Sequence, residues 1–416
     1  IALLPMQVRL GPDYRKKRLL LKKAESWTKC EIQDWQYSKL RDLLDLAYKS
    51  TTGYRELYSS HGVHPTDFRS IDDLKHFPVV NKELLSSNIE SFTIKKRKND
   101  YLQRTSGTSG IPFKFWLKYG DFTESAFIHD TWEKFGHNPN KLAAVLKGGF
   151  GSHDDKSIRF SRYDRSLYLS TPMLSAVTLN SYLKQIKRKN INIMRALPSS
   201  FNLLCDLLDG INKDMWPVLD VVSLSSEMIT DSHWEKFSRY FPRTTFFSWY
   251  GHSEHAVFAP RCVNSKAYHP NSLYGFTEVL SEDLAPQKNG LSGTIVGTSF
   301  WSSPTLFIRY MTDDIAEVGD NKCEFCGKLG STWNRIIGRS SSYFIGDDGN
   351  KISATIMNLQ DETYEGILEY QFFQDTPGKL KFIYVERLNS KTTDFNALRR
   401  NLESKLGPSF CLEISK

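Results

Sequence analysis

Three short apolar runs, each opening into a polar loop, constrain this chain more than any other feature. Leu142-Ala-Ala-Val-Leu146 leads to Gly148-Gly149, Val218-Leu-Asp-Val-Val-Ser-Leu224 to Ser225-Ser-Glu227, and Thr244-Thr-Phe-Phe-Ser-Trp-Tyr250 to Gly251-His-Ser-Glu254. Runs of this length, rich in branched and aromatic residues, read as strands. Segments with helical spacing lie around them, at residues 121–137, 175–189, 199–209 and 230–240. Strand–helix alternation predicts βαβ units and a largely parallel sheet. Ligands of such sheets sit on the loops at the carboxyl ends of the strands. The loops after Leu224 and Tyr250 are therefore site candidates. A third is Arg309-Tyr-Met-Thr-Asp-Asp314, expected to leave an apolar strand over 305–310.

The flanking regions differ in character. Residues 27–61 read as helices, with Leu40, Leu43, Leu44 and Ala47 on one face. Past Gly251, short strands separated by Asn, Gly and Pro suggest a small β-rich subdomain, and from Gly338 strand and helix signals alternate in a charged tail. The expected fold class is α/β, with a large domain over 1–337 and a small α+β domain over 338–416. A chain of 416 residues is long enough for both.

Composition narrows the partners. No run of about 18 apolar residues appears, so no membrane-spanning helix is expected. Ile1-Ala-Leu-Leu4 is too short for the apolar core of a signal peptide. Six cysteines with a single Cys-x-x-Cys pair fit a reducing compartment, which places the protein in the cytoplasm. Net charge is +8, with basic clusters at Arg15–Arg18 and Lys95–Lys98. No nucleic-acid recognition module accompanies them, and 47 acidic residues make these clusters solvated faces; no nucleic-acid partner is expected.

Two constellations carry chemistry. In Arg104-Thr-Ser-Gly-Thr-Ser-Gly-Ile-Pro112 six of nine residues are Gly, Ser or Thr. Thr105, Ser106, Gly107, Thr108, Ser109 and Gly110 offer backbone N–H groups and small hydroxyls, the usual cradle for a phosphate chain. The stretch lacks the Gly-Lys-Ser/Thr of a P-loop, and a flexible linker is the bland alternative. The second constellation is Cys323-Glu-Phe-Cys326 with Cys262 and His269 upstream, three thiols and one imidazole that suit tetrahedral structural zinc. Reduced buried cysteines beside a surface histidine are the alternative there. Gly251-His-Ser-Glu-His255 has the Gly-x-Ser of a hydrolase nucleophile elbow, but His255 stands where that turn needs a small residue.

Taken together, the glycine-rich loop, Ser225-Ser-Glu227, Tyr250-Gly-His-Ser-Glu254, Arg309-Tyr-Met-Thr-Asp-Asp314 and Gly338-Arg339 occur in the order and spacing of adenylate-forming enzymes. The chain resembles their phenylacetate–CoA ligase branch, capsular-polysaccharide-biosynthesis relatives included, and Tyr54–Tyr58 and Phe77–Lys82 extend the likeness over nearly its whole length. The resemblance implies that a carboxylic acid is joined to AMP with release of pyrophosphate, then passed to CoA or another thiol or amine. It implies ATP, Mg²⁺ and a small carboxylic acid as partners. The acceptor would be CoA, a carrier-protein thiol, or a sugar amine in polysaccharide or secondary-metabolite assembly; a non-catalytic homologue and a homodimer stay open. Residue by residue, Glu254 would hold Mg²⁺, while Ser226, Glu227, Tyr250 and Gly251 would flank the adenine. Asp314 would accept the ribose hydroxyls, Arg339 would reach the nucleotide, and Lys351 would serve the thioester step. The branch also carries Cys and His at places equivalent to the zinc candidates. Three departures stand out: Asp313-Asp314 replaces the family's Gly-Asp, Arg339-Ser-Ser-Ser342 replaces its Arg-x-Asp-Asp hinge, and Lys416 stands near its late lysine without a clear match.

Overall fold

The structure, a computed structural model, describes all residues except 1–3, 105–112, 148–156, 263, 329, 340–342, 350, 354–365 and 387–392. The chain clusters into a larger unit (1–229, 233–312, 317–335) and a smaller one (230–232, 313–316, 336–416).

The larger unit opens with α1 (Met6–Arg9), α2 (Gly11–Ala24), α3 (Lys29–Ser50) and α4 (Thr52–Ser60). Thr28 starts α3 through a capping box: its hydroxyl accepts the Glu31 N–H at 3.3 Å, and the Glu31 carboxylate accepts the Thr28 N–H at 2.7 Å. The Leu40–Leu44–Ala47 face of α3 is buried, as its spacing predicts. After α5 (Lys82–Ser87), β1 (Tyr101–Arg104) and β2 (Lys114–Leu117) pair antiparallel with Arg104 opposite Lys114. These strands flank the glycine-rich loop, whose residues 105–112 lie outside the described ones.

Next come α6 (Thr123–Lys134), β3 (Ala143–Lys147), β4 (Ile158–Ser161), β5 (Ser166–Ser170), α7 (Ala176–Arg188), β6 (Ile193–Ala196), α8 (Pro198–Leu208), β7 (Val221–Leu224), α9 (Asp231–Tyr240), β8 (Thr245–Gly251) and β9 (Phe258–Pro260). They build a seven-stranded sheet in the order β4-β5-β3-β6-β7-β8-β9. The five central strands are parallel and both edge strands antiparallel, the doubly covered layout that strand–helix alternation requires. One sheet face is apolar: Leu146, Met194, Val222 and Leu224 pack with Phe201, Leu204 and Phe237 of the helices. The register puts Val145, Arg195, Ser223 and Phe247 side by side on the other face. Phe247 there stacks on Phe135 at 4.7 Å, and Trp249 meets Trp132 of α6 at 6.4 Å.

A four-stranded sheet follows, β10 (Gly275–Leu280), β11 (Ser292–Ser299), β12 (Tyr310–Val318) and β13 (Trp333–Arg339), in that order. The expected strand over 305–310 is not formed. β12 starts at Tyr310, so Arg309–Asp314 is the head of a strand rather than an exit loop. The reason lies in Arg309, whose backbone turns at φ 47° and whose side chain is only 2 % exposed. Its guanidinium forks onto Glu278 at 2.8 and 3.0 Å and donates to the Lys75 and Phe77 carbonyls. Leu306, Phe307 and Ile308 are buried on the way into that anchor, and that burial accounts for their apolar character.

In the smaller unit β14 (Tyr343–Ile345) pairs with β15 (Lys351–Ser353), and β16 (Ile367–Thr376), β17 (Lys379–Glu386) and β18 (Cys411–Ser415) form a sheet in that order. α10 (Phe395–Leu406), capped by Asp394, buries Leu398, Leu402 and Leu406 against Leu380 and Phe382. Among the described residues no helix is long and apolar enough to cross a membrane.

Candidate active site and metal centre

Parallel strands β7 and β8 end side by side, which brings Ser225-Ser-Glu227 beside Tyr250–Glu254. Glu254 is 5 % exposed. The Tyr310 hydroxyl donates to its Oε1 at 2.9 Å, and His252 Nδ1 lies 3.0 Å from Oε2. Burial alone pushes this carboxyl up, but the His252 charge and the His252 and Tyr310 hydrogen bonds outweigh it and hold it at about 2. Glu254 is thus a buried carboxylate that stays ionised. Each oxygen has one partner and keeps a lone pair, which fits a hard cation completed by water and phosphate oxygens. Nε2 of His252 is buried beside it and finds no partner among the described residues.

Ser226 turns the first loop at φ 74°, a left-handed value uncommon outside glycine. That turn lets the Glu227 carboxylate accept from Ser199 N (2.8 Å) and Ser199 Oγ (2.9 Å), so Glu227 caps the start of α8. Tyr250 packs its ring edge-on against Trp333 at 5.7 Å, and Gly251 closes β8. In the smaller unit Asp314 and Arg339 face each other, Oδ1 to Nε, at 3.7 Å. Lys351 opens β15; its side chain lies outside the described residues, as do Thr105, Ser106, Gly107, Thr108, Ser109 and Gly110. Ser253 makes no hydrogen bond to a histidine among the described residues. His255 instead turns at φ 57° and pairs with Glu124 of α6 at 2.9 Å, pinning the loop away from elbow geometry.

Motif reading missed Tyr310 and His252, the two groups that hold Glu254. The signal was present: both lie inside motifs already singled out, but as spacers between the acidic residues. Lys147, at the exit of β3, has its ammonium 3.5 Å from Ser225 Oγ. Burial and the neighbouring Arg195 charge push that lysine down.

The cysteine–histidine set comes together. One ligand atom from each of Cys262, His269, Cys323 and Cys326 lies within 4.8 Å of the others. Cys262 Sγ and Cys323 Sγ are 3.9 Å apart, and Cys326 Sγ is 3.5 Å from His269 Nε2. Bond lengths of about 2.3 Å to sulfur and about 2.0–2.1 Å to nitrogen around a tetrahedral zinc require edges of about 3.8 and about 3.6 Å. The donor set fits. Burial pushes His269 down to about 4, so the imidazole is neutral and free to ligate. Gly327 supplies the left-handed turn (φ 70°) that closes the knuckle.

Solved structures that this chain resembles include those of a CoA ligase. A crystal structure of 2-hydroxyisobutyryl-CoA ligase in the postadenylation state, with R3-HIB-AMP, superposes with a TM-score of 0.69 over 94 % of this chain and 87 % of that one, at 14 % identity. The same ligase in complex with 2-HIB-AMP and CoA in the thioesterification state gives 0.61 over the same shares, at 15 % identity. The fold is therefore the one these CoA ligase structures share. Among curated proteins the chain is similar to phenylacetate-coenzyme A ligases: 30 % identical over 128 residues to that of Escherichia coli (strain K12), and 31 % over 141 residues to that of Pseudomonas putida. These matches cover 30 % and 33 % of this chain but only 26 % and 29 % of the relatives, about a quarter of their length. No protein-family model matches the chain. Sequence and fold likeness thus converge on the superfamily that the motifs resemble.

Proposed function

We propose that the protein joins a carboxylic acid to AMP and then to CoA. The observation that carries this reading is Glu254, buried and held at both oxygens by Tyr310 and His252 in the loop after β8, within the fold of CoA ligases. In the first step an oxygen of the acid attacks the α-phosphorus of ATP, the bond to the bridging β-oxygen breaks, and pyrophosphate leaves. In the second the CoA thiolate attacks the acyl carbon and AMP leaves. Thr105–Gly110 cradles the outgoing phosphates, Glu227 and Tyr250–Gly251 flank the base, and Asp314 accepts the ribose hydroxyls. Arg339 approaches the nucleotide and Lys351 serves the thioester step. Glu254 would hold Mg²⁺, which when bound would supply charge neutralisation at the phosphates. Cys262, His269, Cys323 and Cys326 would hold zinc in a structural role, since four protein ligands would leave no open position. The six free thiols fit a reducing, cytoplasmic setting rich in ATP and CoA.

The test is pyrophosphate release from ATP and Mg²⁺ over a panel of carboxylic acids, with and without CoA. At least one acid is expected to give ATP-dependent release, and CoA to convert the product to a thioester detectable by mass. Silence across the panel overturns the ligase reading; release without thioester overturns CoA as the acceptor.

A further inference from the structure

Neighbouring strands β3 and β6 send the chain in opposite directions. From β3 it runs through β4 to β5, on the side away from β6, and from β6 to β7, on the side away from β3. Parallel strands that diverge in this way leave a crevice at their carboxyl ends, the usual ligand position in an open α/β sheet. Lys147 is the last residue of β3 and stands at that crevice. Its side chain crosses the end of β6 toward Ser225, the first residue beyond β7, with Nζ 3.5 Å from Ser225 Oγ. Ser225 opens the Ser-Ser-Glu loop beside Tyr250–Glu254, so the crevice borders the candidate active site.

The lysine is half-buried, and among the described residues it pairs with no carboxylate. Its one partner there is a hydroxyl at the outer limit of hydrogen-bond distance. Other covered lysines of the same unit are better served: Lys236 pairs with Asp206, Lys118 with Asp13, and Lys17 lies 3.9 Å from the Trp301 ring centre. At Lys147 burial and the Arg195 charge both oppose the ammonium, and no described anion offsets them. Such a group is costly unless a ligand brings the counter-charge. The ligase reading has a matching need. The acid must bring its carboxylate up to the phosphates, anion against anion, while Glu254 and the glycine-rich loop serve the nucleotide.

Resting on the ligase reading above, we propose that Lys147 binds the carboxylate of the acid substrate, with the Ser225 hydroxyl as a second donor. One carboxylate oxygen accepts from the ammonium and the other attacks phosphorus. The oxygen held by Lys147 becomes the carbonyl oxygen of the acyl-AMP, and it regains negative charge there when the thiolate attacks. The test measures pyrophosphate release with the fastest acid of the panel in wild type, Lys147→Met and Lys147→Arg. Lys147→Met is expected to lower kcat/KM for the acid by about tenfold or more while KM for ATP moves less than about twofold, since one charge-assisted hydrogen bond is lost. Lys147→Arg keeps the charge and should keep most of the activity. Equal losses toward acid and ATP, or a rise in the KM for ATP alone, overturn the proposal and leave the ligase intact. A second readout needs neither turnover nor a folded variant. Acetylation of Lys147 in the wild type by acetic anhydride, followed by peptide mass, should slow severalfold when an acid is added to protein already saturated with α,β-methylene-ATP. Protection by the nucleotide alone assigns the lysine to phosphate and overturns the proposal. Absence of pyrophosphate with every acid overturns the ligase reading; protection of Lys147 by an acid then still supports carboxylate binding, and no protection rejects it.

Discussion

Glu254 shows how a single carboxylate is kept charged in a buried site. Removing it from water disfavours ionisation, and the His252 charge together with hydrogen bonds to both oxygens reverses that balance. Glu254→Gln keeps the shape and loses the charge, so the pyrophosphate-release rate is expected to fall by about 10²–10³ with the far-ultraviolet dichroism unchanged. A variant retaining a third or more of the wild-type rate would remove Glu254 from the mechanism. Tyr310→Phe acts differently. It deletes one donor to the charged form, so the Glu254 carboxyl rises from its lowered position and the acidic limb of the rate profile should move toward higher pH than in wild type.

Among the elements, the knuckle at Cys323–Cys326 ties a loop before β13 to the segment carrying Cys262 and His269, which follows β9. If zinc occupies it, protein purified without added metal contains close to one zinc per chain. Binding to the folded state alone stabilises that state by mass action, so chelation or Cys323→Ser should lower folding stability by roughly 3 kcal/mol or more, read from urea denaturation. A metal content near zero rejects the site. Arg309 works at the same scale: its pairing with Glu278 sets where β12 begins and thereby where Tyr310 meets Glu254.

For the whole molecule, two histidines make stability depend on pH. His129 and His137 are packed around Trp132, His137 stacked on it at 4.1 Å and His129 bonded to the Tyr14 hydroxyl at 2.9 Å. Burial, then the Arg195 charge, pushes them down to about 3 and about 2. The unfolded chain takes up these protons below about pH 6.5 while the folded one does not. Their contribution is therefore complete above that pH and is lost as pH falls from about 6.5 toward 3, at up to about 1.4 kcal/mol per pH unit for each histidine. Urea midpoints between pH 7.5 and 5 should fall accordingly, and His137→Gln should flatten the slope. An unchanged slope in that variant would assign the acid sensitivity to other groups.

Strand–helix alternation, the capped helices and the motif order were legible in the sequence because each depends on residues close together in the chain. Apolar spacing located β3, β7 and β8 to within a few residues, and the pairing of Cys323 with Cys326 pointed to a metal knuckle. The apolar run 305–308 misled because burial alone raises hydrophobicity, whether or not a ladder forms; only the distant partner Glu278 decides where that strand starts. In the same way Glu227 reads as a site residue from its motif, yet the fold also makes it the cap of α8. Arg195 looked like one more charge in the chain. Its burial against Trp132, with a hydrogen bond to Ser166, emerges only when α6 and the sheet enclose it. Local sequence determined which elements form and where polar loops leave them. Long-range packing decided which charges end buried and which find partners, because burial and pairing depend on residues far apart in the chain.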